Sequence, residues 1–192
     1  MEGQQLIQLA KEHCIHYHQT QFRKGSNQPY HTHPLAVAKI LDRFGYSDYI
    51  TQCIALLHDT IEDTELFTGE IQERFGFEIA NGVFVLSKNT INADTIEYIS
   101  QALSVDTSTF SEEQLYKARL SFARRKAKRV KIADIIHNTQ DLVSLKPEGI
   151  ERKIRDSEDF YIPMGKKIAP LMVKELEKNI EDYRILANPA AL

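Results

Sequence analysis

An apolar run, Cys53-Ile54-Ala55-Leu56-Leu57, leads without interruption into His58-Asp59-Thr60-Ile61-Glu62-Asp63. These six residues carry one imidazole and three carboxylates, groups that are costly to remove from water unless something neutralises them. The run therefore constrains the fold: a buried helix has to deliver these charges to the edge of a core. A divalent cation is the simplest partner to meet them there. The plainer alternative has Glu62 and Asp63 decorating a helix end, with His58 a hydrogen-bonded core histidine. What separates the two is whether other parts of the chain supply companions.

The remaining sequence is patterned for helices throughout. Leu6, Leu9, Ala10, His13, Cys14 and Tyr17 share one face of a predicted first helix over residues 3–18. A polar stretch rich in Gly, Ser, Asn and Pro, residues 19–30, reads as a loop. Its Phe22, Arg23, Lys24 and Tyr30 have the means to stack on a base and contact phosphates, although solvated loop charges are the commoner explanation of such a segment seen alone. His31-Thr32-His33-Pro34 follows, and Pro34 suits the first position of a second helix carrying Leu35, Val37, Ala38, Ile40, Leu41 and Phe44. Gly45 ends it, and Ser47 or Asp48 caps the third helix, which runs up to His58.

Beyond Asp63 the spacing predicts helices around residues 67–75 and 77–87, and a weaker one around 96–103. Residues 111–145 contain neither Gly nor Pro and read as one long helical tract opened by Ser111, Glu112 and Glu113. Residues 124–129 of that tract are strongly basic, which fits a solvated helix face or a rim that attracts phosphate. Near its end, Asp134, His137, Asn138 and Asp141 recur at spacings of three and four beside the apolar stripe of Ile132, Ile135, Ile136, Leu142 and Val143. A polar seam thus runs along the core. A last amphipathic tract follows Pro147 and Gly149.

No strand alternation or internal repeat is present. The expectation is an all-α fold, a single compact helical bundle over residues 1–192, with the motif-bearing core at about 3–145 and a helical extension at about 148–187. A chain of 192 residues with 42% hydrophobic and 27% charged residues is ordinary for a globular protein. The net charge of −3 gives no global electrostatic footprint for nucleic acid or an anionic membrane. Cys14 and Cys53 lack any metal-type spacing and read as buried thiols of a reducing compartment. With no signal pattern and no apolar run long enough to span a bilayer, a cytoplasmic location is expected.

Taken together, the polar seams nominate His33, His58, Asp59 and Asp134, drawn from three helices or their ends. Two imidazoles and two carboxylates suit manganese, iron or zinc better than calcium, and they lack the thiolates of a structural zinc site. His58 and Asp59 are neighbours and diverge on an ideal helix, so a helix end or distortion is predicted at that point. An open metal site of this kind polarises a phosphoryl oxygen and acidifies bound water. Glu62 and Asp63, one turn on, are positioned to orient or deprotonate that water.

The residues His18-Gln19-Thr20-Gln21-Phe22-Arg23-Lys24, Pro29-Tyr30, His33-Pro34, His58 to Asp63, Val130-Lys131-Ile132-Ala133-Asp134 and His137-Asn138 carry a resemblance. The chain resembles the HD-domain metal-dependent phosphohydrolases, and within them is similar to the hydrolase domain of the RelA/SpoT alarmone enzymes and the small alarmone hydrolases. The resemblance implies a Mn²⁺ ion, or another divalent transition metal, on His33, His58, Asp59 and Asp134, with Glu62 and Asp63 as catalytic carboxylates. It implies Arg23 packed on a guanine base, with Lys24 and Asn138 near the sugar and phosphates. The implied reaction removes the 3′-diphosphate of guanosine 3′,5′-bis(diphosphate) or its pentaphosphate relative as pyrophosphate, without a synthetase activity.

The chain departs from the usual family pattern in residues 25–28, at Leu86 to Lys88, and at Gln140 and Asp141. These differences keep open a second substrate class, another nucleotide or phosphorylated metabolite. A non-catalytic nucleotide sensor is the third possibility, disfavoured because every expected ligand and both carboxylates are present. The sequence leaves the oligomeric state open.

Overall fold

The computed structural model describes residues 2–23, 27–140, 142 and 146–187. Among them the chain forms helices α1 (Gly3–Tyr17), α2 (Thr32–Arg43), α3 (Tyr49–Leu57), α4 (Thr60–Asp63), α5 (Thr68–Phe75) and α6 (Phe77–Leu86). A 3₁₀ turn (Lys88–Thr90) leads to α7 (Ala93–Leu103), α8 (Glu112–Phe122) and α9 (Arg125–Thr139). After α10 (Pro147–Asp156) a π turn (Ser157–Tyr161) precedes α11 (Ile162–Lys166) and α12 (Pro170–Ala187). Extended pairing among the described residues is limited to one isolated bridge, Phe22 to Pro29.

Helix α3 is the axis of the bundle, packed against α1, α2, α6 and α9. Asp48 starts it, accepting hydrogen bonds from Thr51 N at 3.2 Å and Thr51 Oγ1 at 2.7 Å. From Thr51 to Leu57 every residue is buried, which is why Cys53 to Leu57 are apolar without a break, while buried Gln52 donates to Tyr46 O at 2.9 Å. Helix α6 approaches it closely because Gly82 faces Ile54; a Cβ at that position would collide with Ile54 Cδ1 and lie 2.7 Å from Cγ1. One buried apolar cluster includes residues from Ala10 to Ile180. Both cysteines lie inside the fold, and burial pushes their thiols up to about 12, so they are unreactive packing groups.

Three sequence expectations shift. Helix α2 begins at Thr32, so Pro34 is its third residue and His33 its second. The tight turn before it, with Thr32 Oγ1 donating to Pro29 O at 2.7 Å and His33 N to Tyr30 O at 2.9 Å, starts the helix early. Pro34 loses nothing there, because the first-turn N–H groups have no helical acceptor.

The tract at 111–145 is two helices, broken where Ala123 and Arg124 are both extended, with ψ of 153°. No glycine or proline marks the break. It follows from packing: both helices touch α6, but α8 turns to lie against α7, whereas α9 lies against α2, α3 and α12. Tertiary contacts override local propensity here. In the last tract, Pro163 has no N–H to continue the ladder, and the π turn just before it absorbs the defect.

The basic run is largely consumed within the chain. Lys126 pairs with Asp48 at 2.7 Å, Lys128 donates to Ser121 O at 2.6 Å, and Arg129 lies 4.2 Å from the centre of the Tyr46 ring. Arg124 and Arg125 stay exposed. No helix among the described residues is long and apolar enough to cross a membrane.

Candidate metal centre and active site

Helix α3 stops at Leu57, and the chain turns at His58 and Asp59 before α4 restarts at Thr60. Thr60 is not a passive spacer, since its buried hydroxyl donates to Leu57 O at 2.7 Å and ties the two segments together. The interruption brings adjacent side chains to one point: His58 Nε2 lies 3.1 Å from Asp59 Oδ2. Helix α2 adds His33, whose Nε2 is 3.5 Å from Asp59 Oδ2 and 3.1 Å from Asp134 Oδ1 of α9. Asp134 Oδ1 is also 3.9 Å from His58 Nε2. The four side chains that the sequence nominated therefore converge from α2, the α3–α4 junction and α9.

The donor atoms are oriented by a second layer of contacts. Ala55 O accepts a hydrogen bond from His58 Nδ1 at 2.8 Å, which aims Nε2 at the centre and leaves it the atom that becomes free when the ring gives up its second proton. That nitrogen is fully buried; its near neighbour is the Asp59 carboxylate at 3.1 Å, a close charge contact that lacks the alignment of a good hydrogen bond. His33 Nδ1 meets His137 Nδ1 at 2.8 Å, a pair that holds one proton between two nitrogens. Tyr30 donates to Asp59 Oδ2 at 2.8 Å, Lys131 to Asp134 Oδ2 at 2.8 Å, and Asn138 Nδ2 to Asp134 Oδ1 at 2.5 Å.

These contacts set the charges. Burial opposes ionisation of Asp134, but Lys131, followed by His33 and His58, outweighs it and holds the carboxyl well below the usual range. Asp59 is likewise buried, yet the His58 charge beside it brings it down to about 2. For His58 burial disfavours the imidazolium, and Asp59 and Asp134 together overcome this and raise it to about 9. Burial, then the charges of His33 and Arg23, takes His137 down to about 4, so it is neutral near pH 7. Two buried imidazole nitrogens crowded against two ionised carboxylates form a mixed nitrogen and oxygen donor set that a cation fits once the protons leave. His33, His58 and Asp59 offer ligand atoms within 4.8 Å of one another and could hold a metal ion.

Glu62 and Asp63 lie on α4 at the exposed side of this cluster. Glu62 Oε2 accepts from Lys88 N at 2.8 Å. Partial burial, then Asp59, pushes the Asp63 carboxyl up. Its backbone carbonyl accepts from Gln21 Nε2 at 2.6 Å, and Gln21 Oε1 is 2.7 Å from His18 Nδ1.

The loop after α1 folds back on itself through Arg23 N to Gln28 O at 2.9 Å and Tyr30 N to Gln21 O at 2.8 Å. It thereby sets Arg23 Nη2 at 3.3 Å from Asn138 Oδ1. Lys24, Asp141 and residues 25–26 lie outside the described residues. Beside Asp134 opens a cleft of about 180 Å³, with Lys88, Lys131, Arg152 and Lys153 in its wall and Glu113 and Asp156 among them.

Sequence reasoning offers Tyr30 only as a loop aromatic for stacking on a base, and it misses the contacts that Tyr30, Lys131 and His137 make with the candidate ligands. Lys131 and His137 carried a usable signal, lying three residues either side of Asp134 on one helix. Tyr30 carried none, because its approach to Asp59 depends on the fold of the loop.

The HD-domain sequence profile matches residues 10–168. The chain belongs to the HD-domain family. This HD-domain chain is 34% identical over 180 residues to a probable GTP pyrophosphokinase of Mycobacterium leprae, aligning 90% of its own length with 20% of the relative. It is 30% identical over 171 residues to a guanosine-3′,5′-bis(diphosphate) 3′-pyrophosphohydrolase of Haemophilus influenzae, aligning 88% of its own length with 23% of that protein. The chain thus spans about a fifth of the length of these curated relatives. Among solved structures it matches a metazoan orthologue of SpoT that hydrolyses ppGpp, with a TM-score of 0.74 at 19% identity. That alignment covers 93% of this chain and 95% of the other, and it establishes a shared HD-domain fold.

Proposed function

We propose that the chain is a divalent-metal-dependent pyrophosphohydrolase of guanosine 3′,5′-bis(diphosphate) and its pentaphosphate relative, with Mn²⁺ as the ion. The observation that carries the reading is the convergence of His33 Nε2, His58 Nε2, Asp59 and Asp134 around one buried point. Those four side chains would hold the ion. When bound it supplies Lewis acidity toward a phosphoryl oxygen and lowers the pKa of water.

The protein's own groups do the rest. Ala55 and His137 fix the two imidazoles in the tautomers that leave Nε2 free, and Lys131 and Tyr30 keep the two aspartates ionised and aimed. Glu62 and Asp63 take the proton of the attacking water and return one to the leaving ribose oxygen. The raised Asp63 carboxyl suits the proton-returning step. Arg23, steadied by Asn138, is available to stack on the guanine, and Lys24 is expected beside the phosphates. The cationic wall of Lys88, Lys131, Arg152 and Lys153 supports a strongly anionic substrate.

A second reading keeps the fold and metal and changes the substrate to another nucleotide or phosphorylated metabolite. It is favoured by Glu113, which ties up Lys88 at 2.9 Å, and by Asp156 in the same cleft. Purified protein with Mn²⁺ is expected to release pyrophosphate from the alarmone and to stop when the metal is chelated. Metal-replete protein that leaves the alarmone intact overturns the first reading, and faster turnover of another nucleotide in the same panel selects the second.

A further inference from the structure

A second cleft shares no lining residue with the one beside Asp134. It measures about 400 Å³, a size that takes a small ligand, and is walled by Phe84, Tyr98, Phe122, Arg119 and Arg124, with Asp94 at one side. Its aromatic wall is open to solvent: Tyr98 is 56% and Phe122 41% exposed, their rings tilted edge to face at 6.1 Å. Two flat apolar surfaces held this way on the outside of a folded chain offer a stacking platform.

The charges of the cleft point to an anion. Arg119 is buried, 4% exposed, with its guanidinium 5.3 Å from the centre of the Phe84 ring. It makes no ion pair among the described residues. Its Nη1 donates to Thr90 Oγ1 at 2.7 Å and its Nη2 to Ser87 O at 2.8 Å, both neutral acceptors, and Nε has no partner. Arg119 is thus hydrogen-bonded only by neutral groups and meets the Glu62 charge without a direct ion pair, and exposed Arg124 adds a second positive charge at the rim, against the single carboxylate of Asp94.

The same arginine reaches toward the hydrolytic carboxylates. Its acceptors, Ser87 and Thr90, bracket the 3₁₀ turn, and from that turn Lys88 N donates to Glu62 Oε2 at 2.8 Å and Asn89 Nδ2 to Ile61 O at 2.7 Å. The turn is therefore gripped by Arg119 on one side and by α4 on the other.

We infer that the cleft between α6, α7 and α8 is a second ligand site for a planar aromatic molecule bearing an anionic group, and that its occupancy is transmitted through Arg119 and the Lys88–Thr90 turn to Glu62. The ring stacks on one of Tyr98 and Phe122 and meets the other edge to face, and the anion faces Arg124 and the charge of Arg119. The transmission to activity rests on the role given to Glu62 above; the site itself does not.

The test uses full-length protein, ¹⁵N-labelled in magnesium buffer, titrated with 2-naphthalenesulfonate and with the neutral 2-naphthalenesulfonamide. Saturable shifts of the Asn81, Tyr98 and Arg124 amides are expected, together with a shift of the Lys88 amide. The neutral probe should bind about tenfold more weakly, because it lacks the charge-assisted contact. Arg124→Gln, at an exposed position, should weaken the sulfonate about fivefold. No saturable shift at the cleft amides, or equal binding of the charged and neutral probes, overturns the site. Saturation with the Lys88 amide unmoved overturns the link to Glu62. None of these readings uses turnover, so failure of the alarmone assay leaves them interpretable.

Discussion

Lys131 is the sharpest place to perturb this site, because it neutralises Asp134 without being a ligand itself. Its Nζ sits 2.8 Å from Asp134 Oδ2, with the two side chains 15% and 7% exposed, and it lies 5.6 Å and 5.9 Å from the centres of the Tyr116 and Tyr161 rings. Lys131→Met keeps the length of the stem, so little packing is lost and the change is chiefly one of charge. Removing one member of a buried pair strands the other, at a cost of about 3 kcal/mol at the low end of the usual range. For a chain of 192 residues that corresponds to a melting temperature lower by roughly 6–12 °C in metal-free protein.

On the proposed reading, a divalent ion held by Asp134 would replace the missing positive charge. Ion binding should therefore raise the melting temperature of the variant by more than it raises that of the parent. Differential scanning calorimetry of both proteins, with chelator and with saturating Mn²⁺, gives the four numbers required. Equal metal-induced increments, or a metal-free variant that melts with the parent, would refute the reasoning. The first outcome would mean that Asp134 does not meet the ion; the second, that Lys131 does not stabilise it.

Gly82→Ala pushes a methyl group into Ile54 on the central helix and should cost about 1–3 kcal/mol, seen as a lower denaturant midpoint with an unchanged slope. With His58 raised to about 9 in metal-free protein, a proton has to leave before a metal enters, so affinity should fall about tenfold for each pH unit below that value. The same shift has a definite sign for stability. Its contribution is full below the ordinary histidine pKa of about 6.5 and is lost as pH rises through about 9, so metal-free protein should melt progressively lower across that window. Glu62→Gln and Asp63→Asn should each cut turnover by about 10²–10⁴-fold while leaving equilibrium binding of the nucleotide measurable by calorimetry.

The sequence made the helical architecture legible because the apolar positions of α1, α2, α3, α5 and α6 repeat with a helical period, and glycine, proline and capping residues mark their ends. Asp48 and Gly76 stand where the spacing put them. The break inside 111–145 was invisible, since Ala123 and Arg124 carry no local signal and the divergence of α8 from α9 is decided by the surfaces each one covers.

At the candidate site, the set His33, His58, Asp59 and Asp134 was legible from residue chemistry, and the predicted helix interruption between His58 and Asp59 is present. The orienting contacts were harder to read. Tyr30 reaches Asp59 only through the folded loop, and the contact between His33 and His137 depends on two Nδ1 atoms that different helices bring to 2.8 Å. The second cleft was wholly hidden, because Phe84, Tyr98 and Phe122 belong to three helices and each reads in isolation as an ordinary surface or core residue.

The convergence of side chains from α2, the α3–α4 junction and α9 also bears on the order of assembly. His58 and Asp59 are neighbours in the unfolded chain, but His33 and Asp134 reach them only after long loops have closed and α9 has docked on α2 and α3. A full ligand set is thus a late product of folding. An ion held by it cannot template the early steps; it acts as a latch on the finished bundle, slowing its opening while leaving the rate of its formation nearly unchanged.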